Sequence, residues 1–379
     1  MSFVLDVIGY LPETIRTRIV PAMRLPPVKN NPSKVQLERL SHVYFEHADL
    51  KQFEKFAIDF GFVVADRKEN TIFFRGYGVS PYSYVAIKSN DKKSRFLGGA
   101  FVAQSQEEFD KAAKIEGAEI KSLDDAPGGG KMITFARSDE TFLHIVYGQE
   151  ERTIETSEPP SATHESLGPM NTPFKKPREG IVPLQPKPGN ATNGAKGQYQ
   201  RFHEGPALIH KLGHFGYVCR EFDKEFAFYT ENFNFVPTDI LWYPKFSNID
   251  VLAFMHLDLG KRYSDHHILF MQRAPPDVKK TYLHHSSYEV ADFDTQLIGH
   301  SWLEKKGWKN VWGVGRHILG SQIFDYWEDS SRFKIEHYAD GDVVNEDTPT
   351  RREVAGPISV WGPELPKDFG EDSTKFSFS

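Results

Sequence analysis

His214, His285 and Glu336 are the residues whose types and spacing point to chemistry. Each lies in an apolar, strand-like stretch, such as Arg332-Phe333-Lys334-Ile335-Glu336-His337-Tyr338 around the glutamate. A buried imidazole or carboxylate is costly unless it is paired or holds a metal. Two histidines and one carboxylate on three strands of one curled sheet can form a facial triad. On Fe(II) or Mn(II), such a triad leaves coordination positions open for a substrate and O2. Taken singly, each residue also reads as a hydrogen-bonded core histidine or a solvent-facing glutamate; only the set of three points to a metal.

The elements that position them come as a repeat. One block opens Leu40-Ser41-His42-Val43, followed by Asp49, Phe53, Phe56 and Phe60-Gly61-Phe62. The other opens Leu212-Gly213-His214-Phe215, followed by Asp223, Phe226, Tyr229 and Phe233-Asn234-Phe235. In both, a strand gives way to a helix-period run. An aspartate stands near the helix start, where the exposed amides favour it. The pattern then recurs within each block. Leu97 to Val102 reads as a strand and Gln106 to Ile115 as a helix; Tyr282 to Val290 and Thr295 to Lys306 read likewise. The expected fold is α+β: four βαβββ modules in two domains, each domain a curled mixed sheet round a cavity with helices outside.

Aligning the blocks sets His42 opposite His214, Gly99 opposite His285 and Ile145 opposite Glu336. The first block then keeps one ligand type of three and reads as a scaffold, so one metal is expected, in the C-terminal half. His284 is expected to face away from His285, because side chains alternate along a strand. The segments are an extension at 1–37, a degenerate domain at 38–149 and a Pro/Ser/Gly-rich linker or insertion at 150–207. The metal-binding domain follows at 208–340, then a tail at 341–379 that can serve as a lid.

Composition narrows the function classes. The chain has 379 residues, 39% of them hydrophobic, enough for two ordinary domains with cores. Its net charge is −6 and no basic face is clustered, which argues against a nucleic-acid partner. A single cysteine, Cys219, excludes an internal disulfide and a cysteine-rich zinc site and suits a reducing compartment. No apolar run reaches membrane-spanning length, so no membrane partner is expected. The start of the chain lacks the pattern of a secretory signal. A cytoplasmic homo-oligomer is expected, with a mitochondrial presequence around Arg16, Arg18 and Arg24 as the minor alternative. The 30 phenylalanines and 15 histidines stand out. An aromatic-walled pocket would use some of the former; Trp242, Tyr243, Phe246, Phe254 and Trp312 are candidates for its mouth, with core packing the competing role.

Gly315-Arg316-His317, then Tyr326, then Glu336, have spacings of nine and ten residues. On this signature the chain resembles the two-domain type I extradiol (meta-cleaving) catechol dioxygenases of the vicinal oxygen chelate superfamily. The likeness covers roughly 38–340 apart from the 150–207 stretch and is strongest over 212–338. It implies that His214, His285 and Glu336 hold Fe(II), with Mn(II) as the alternative. It also implies that His317 and Tyr326 contact a bound substrate oxygen. Asp265-His266-His267-Ile268 matches the strand that carries the family's acid–base histidine, and His267 is the matching residue. The loop from there to His285, with Ala274-Pro275-Pro276, must be longer than in the family. The implied reaction cleaves a small aromatic diol beside its two hydroxyls, with O2 as co-substrate. Arg316, Trp242 and Phe254 are the candidate substrate contacts, and Arg316 has a structural ion pair as its equal alternative. The rival readings are a 4-hydroxyphenylpyruvate dioxygenase-like oxygenase, a glyoxalase-type isomerase with a fourth ligand, and a non-enzymatic aromatic-binding protein of the same superfamily.

Overall fold

The computed structural model describes residues 22–153 and 205–372; nearly all of the 150–207 stretch therefore lies outside the described residues. The first half runs β1 (Leu37–His47), α1 (Leu50–Phe60), β2 (Val63–Arg67), β3 (Thr71–Arg75), β4 (Tyr84–Lys88), β5 (Arg95–Ala103), α2 (Gln106–Ala112), β6 (Glu119–Ser122), β7 (Lys131–Ala136) and β8 (Phe142–Tyr147). The second runs β9 (Ile209–Cys219), α3 (Phe222–Asn232), β10 (Phe235–Tyr243), β11 (Phe246–Leu257), β12 (Ser264–Asp265), β13 (Leu269–Arg273), β14 (Tyr282–Val290), α4 (Phe293–Lys305), β15 (Lys309–His317), β16 (Ile323–Glu328) and β17 (Lys334–Ala339). β18 (Val343–Val344), β19 (Arg351–Val354) and β20 (Ser359–Trp361) come from the tail.

The first sheet has the order β2-β3-β4-β1-β5-β8-β7-β6, two βαβββ units joined through β1 and β5. The second repeats this with β9 and β14 at its centre, and β19 and β20 extend its two edges. Four such units are present, as the periodicity predicts.

Local chemistry explains the helices. Asp49 caps α1 by accepting from the Gln52 amide, and Gly61, at φ 109°, ends it. Its apolar stripe, Phe53, Phe56, Ala57 and Phe60, is buried. That stripe packs partly on the other half: the Phe60 ring stacks on His337 at 3.7 Å, and Phe56 meets Trp308 at 5.0 Å. In return, α3 offers Phe228 to Phe135 and to the Arg137 guanidinium, which sits 3.4 Å over the ring. One apolar cluster therefore runs through both halves, from Phe45 and Phe74 to Phe235 and Trp327. Many of the phenylalanines pack in this shared cluster, the core-packing role that competed with a pocket wall, and the cores of the two halves are continuous rather than separate.

The register also corrects the alignment of the blocks. His42 pairs with Ala100 and Ala100 with His144; in the second half His214 pairs with Ser287 and Ser287 with Glu336. His144, not Ile145, is therefore the counterpart of Glu336. Likewise Tyr44 pairs with Gly98 as Gly216 pairs with His285, so Gly98 rather than Gly99 matches His285. The one-residue slip arises because a β-bulge stands at the same place in both halves, with Leu97 and His284 as the extra residues. Gly98 sits at φ 117°, and a Cβ there would lie 2.0 Å from the Phe142 carbonyl oxygen, so no ligand side chain can occupy it.

Four buried histidines outside the triad are held neutral, mainly by burial: His47, His144 and His337 titrate near 3 and His256 near 4. These values lie below the unfolded value of about 6.5, so the stability they confer is present above that pH and is lost as pH falls toward the folded values. Each contributes up to about 1.4 kcal/mol per pH unit across the window. The melting temperature is expected to fall steadily from pH 7 to pH 5; a flat profile over that range contradicts the assignment.

Candidate metal centre

The three central strands of the second sheet each deliver one polar side chain to one spot. β9 carries His214, β14 carries His285 and β17 carries Glu336, all buried. The His214 and His285 Nε2 atoms lie 3.1 Å apart, and they stand 3.2 and 3.4 Å from Glu336 Oε2. No other group of three metal-ligating side chains is spaced for an ion among the described residues. Although both imidazoles are close, neither meets hydrogen-bond geometry with the carboxylate, so both Glu336 oxygens are buried without a hydrogen bond. Burial pushes the Glu336 carboxyl up, but the neighbouring imidazoles outweigh it and hold it well below the usual carboxylate range. Burial lowers His285 to about 4 against the opposing pull of Glu336.

These donors fit a divalent ion. An ion with ligand bonds of about 2.1 Å sets neighbouring donors about 3 Å apart, close to the spacing found here. Without a cation, one hydrogen can bridge the two Nε2 atoms, but both carboxylate oxygens stay unsatisfied; a cation satisfies all three donors. One carboxylate and two imidazoles suit Fe(II) or Mn(II).

The surroundings bring together most of the residues singled out in the sequence. The His267 ring lies 4.2 Å from His214 and 4.9 Å from Phe254. Tyr326, on β16, pairs with Glu336, and its ring is 5.0 Å from His285. Its hydroxyl lies 2.9 Å from His317 Nε2. His317 Nδ1 donates to the Ile358 carbonyl at 3.1 Å, so its Nε2 carries the lone pair that accepts from Tyr326. Burial, with the charge of Glu336, holds the Tyr326 phenol well above its ordinary value. Burial and the nearby imidazoles hold His267 well below its own.

Two of the candidate substrate contacts have partners of their own. The Arg316 guanidinium is engaged by Asp340 at 2.6 Å and by the Ser321 carbonyl at 2.6 Å, the ion pair that stood as the alternative to a substrate anchor. Trp242 pairs with Val354 on the edge strand β19 and makes no ring contact with this cluster among the described residues. Tyr243 and Phe246 stack on each other in a separate cluster with Ile249.

Several site residues were missed. The bulge turns His284 to the same side as His285, with their Nδ1 atoms 2.8 Å apart, against the expectation from alternation. Phe270 sits among His285, Phe254 and His267 at 5.0, 5.8 and 6.3 Å. It can do so because Gly216 has no Cβ, which would otherwise lie 2.0 Å from the Phe270 ring. Phe369, from the tail, packs on Tyr326, His284 and Trp312 at 4.9, 5.1 and 5.0 Å. The tail is held by Trp312 donating to the Pro363 carbonyl and Tyr282 to the Gly370 carbonyl. His284 was visible beside His285 in the sequence, but the bulge that turns it was not; nothing local marked Phe369.

The equivalent place in the first half holds His42, Gly98 and His144. His144 is used by the Thr134 hydroxyl at 2.9 Å and the Leu97 carbonyl at 3.2 Å. Two imidazoles thus survive there, one more than the sequence alignment gave, but the third position is closed.

Comparisons with known proteins agree with this architecture. No sequence-family profile matches the chain. Metapyrocatechase 2 of Cupriavidus necator is 27% identical over 215 residues, which span 54% of this chain and 58% of that protein. The chain thus matches little more than half the length of this curated relative. Homoprotocatechuate 2,3-dioxygenase of Brevibacterium fuscum, solved with 3,4-dihydroxyphenylacetate, superposes with a TM-score of 0.67 at 14% identity, covering 91% of this chain and 95% of that one. The Mn(II)-bound glyoxalase of Novosphingobium aromaticivorans gives 0.63 at 18% identity, over 87% and 94%. The chain therefore has the tandem fold that extradiol dioxygenases and glyoxalases share. Among the described residues, no helix is long and apolar enough to cross a membrane.

Glu336→Ala is expected to abolish tight Mn(II) binding, while His144→Ala preserves it. Calorimetric titration of metal-free protein should show about one site per chain in the parent and in His144→Ala, and none in Glu336→Ala. An unchanged stoichiometry in Glu336→Ala would mean that the third ligand is misplaced.

Proposed function

We propose that the protein is a metal-dependent, Fe(II)-using extradiol dioxygenase that cleaves the ring of a catechol-type substrate beside its two hydroxyls and incorporates both atoms of O2. The observation that carries this reading is the convergence on the His214/His285/Glu336 triad of a neutral imidazole, His267, and a phenol–imidazole pair, Tyr326 and His317. Its support from relatives is the likeness to a metapyrocatechase and to catechol-cleaving structures of the same fold.

Bound Fe(II) supplies the one-electron chemistry that lets a diolate react with O2. The protein's own groups do the rest. His267, kept neutral, can take a proton from one diol hydroxyl and return it later. Tyr326 can turn its one hydroxyl hydrogen from His317 Nε2 to a substrate oxygen that gains negative charge. Phe254 and Phe270 flank the His267 side of the site and favour a planar apolar ring. The tail acts as a lid: Phe369 closes the Tyr326 side and keeps water out.

The glyoxalase fold neighbour raises the isomerase alternative. That reading calls for a fourth ligand, and the metal-spaced group holds three among the described residues. The test is aerobic incubation of the Fe(II)-loaded protein with a panel of catechols. A visible-absorbing ring-fission product and matching O2 uptake are expected. Tyr326→Phe should lower kcat roughly 100-fold, and His267→Phe by at least as much. No product from any catechol, alongside O2 uptake with an α-keto acid, overturns the reading.

A further inference from the structure

Behind His267 lies a buried polar chain that points away from the triad. Asp239 on β10 is buried, and its Oδ2 lies 2.7 Å from His266 Nε2. His266 is buried too, and its Nδ1 lies 3.1 Å from His267 Nδ1. The backbone around His266 is fixed from two sides. Its carbonyl accepts from the Thr238 hydroxyl at 2.6 Å, and its amide donates to the Asp342 carbonyl at 3.0 Å. Gly320 leaves room beside the ring, since a Cβ there would come within 3.1 Å of His266 Nδ1.

We propose that Asp239 and His266 are positioning residues that fix the ring orientation and tautomer of His267, a role that rests on the dioxygenase reading above. The logic is one of donors and acceptors. The Asp239 carboxylate accepts, so His266 carries a hydrogen on Nε2, and in its neutral form, on which the proposal rests, Nδ1 is a lone pair. The contact between the two Nδ1 atoms needs one hydrogen, which then belongs to His267. His267 is left with a bare Nε2, the form a general base requires. Remove the carboxylate, and His266 is free to take the other tautomer, which would donate to His267 Nδ1 and put the hydrogen on His267 Nε2. Groups that orient an active-site imidazole through its far nitrogen commonly matter by roughly 10- to 100-fold.

The test has two readouts. In metal-free, 15N-histidine-labelled protein, two-bond nitrogen–proton correlation spectra report each tautomer, with His266→Gln and His267→Gln assigning the signals. The parent is expected to show hydrogen on His267 Nδ1 and on His266 Nε2, and Asp239→Asn is expected to lose that pattern. In the Fe(II)-loaded protein, Asp239→Asn should lower kcat on a turned-over catechol roughly 10- to 100-fold, with KM and Mn(II) affinity unchanged. Hydrogen on His267 Nε2 in the parent, or an unaltered pattern and kcat in Asp239→Asn, overturns the inference. A parent with the expected tautomers but no catechol turnover upholds the positioning and overturns the dioxygenase reading. If Asp239→Asn does not fold, the parent's tautomers decide the matter.

Discussion

A carboxylate buried between two imidazole nitrogens, with no hydrogen bond to either of its oxygens, is the constraint on which this structure turns. Left without a cation, that arrangement loses the solvation of a charge and gains little in return. The three adjacent strands that carry His214, His285 and Glu336 must therefore hold their register closely, since a one-residue slip would send a ligand to the opposite face. The β-bulge at His284 sets that register. It also brings a second imidazole to the site and lies where Gly216 lets Phe270 approach.

The seam between the halves supplies the rigidity. Phe60 stacks on His337, the residue after Glu336, and His337 Nε2 donates to the Phe60 carbonyl at 2.7 Å. The first half thus grips the strand that carries the third ligand. Its own equivalent site has been closed at one point, Gly98, where the backbone lies against Phe142. His42 and His144 remain there as buried, hydrogen-bonded imidazoles. Duplication has left two similar sheets, of which one supports and the other carries the candidate chemistry.

Much of this is legible in the sequence. The 3.6-residue period of Phe53, Phe56 and Phe60 and the apolar setting of His214 and Glu336 reflect local rules, and local rules survive folding. The site's remaining parts were hidden for physical reasons. Bulges add a residue without leaving a composition signal, which displaced the Gly98 and His144 equivalences by one and reversed the facing of His284. Asp239 looks like any polar residue in an alternating strand until its partner is known to be His266, twenty-seven residues on. Phe369 reaches the site from a tail whose local sequence is polar. Arg316 and Trp242 show the opposite difficulty: residue type suggests a contact, and the ion pair with Asp340 and the edge position beside β19 give each another partner that the sequence does not show.

One ion is expected on the second half and none on the first. Anomalous diffraction from crystals of the full chain soaked with Mn(II) tests it directly. One manganese peak per chain is expected, within about 2.0–2.3 Å of His214 Nε2, His285 Nε2 and a Glu336 carboxylate oxygen. A peak between His42 and His144, or a well-diffracting crystal with no peak at the triad, would contradict it.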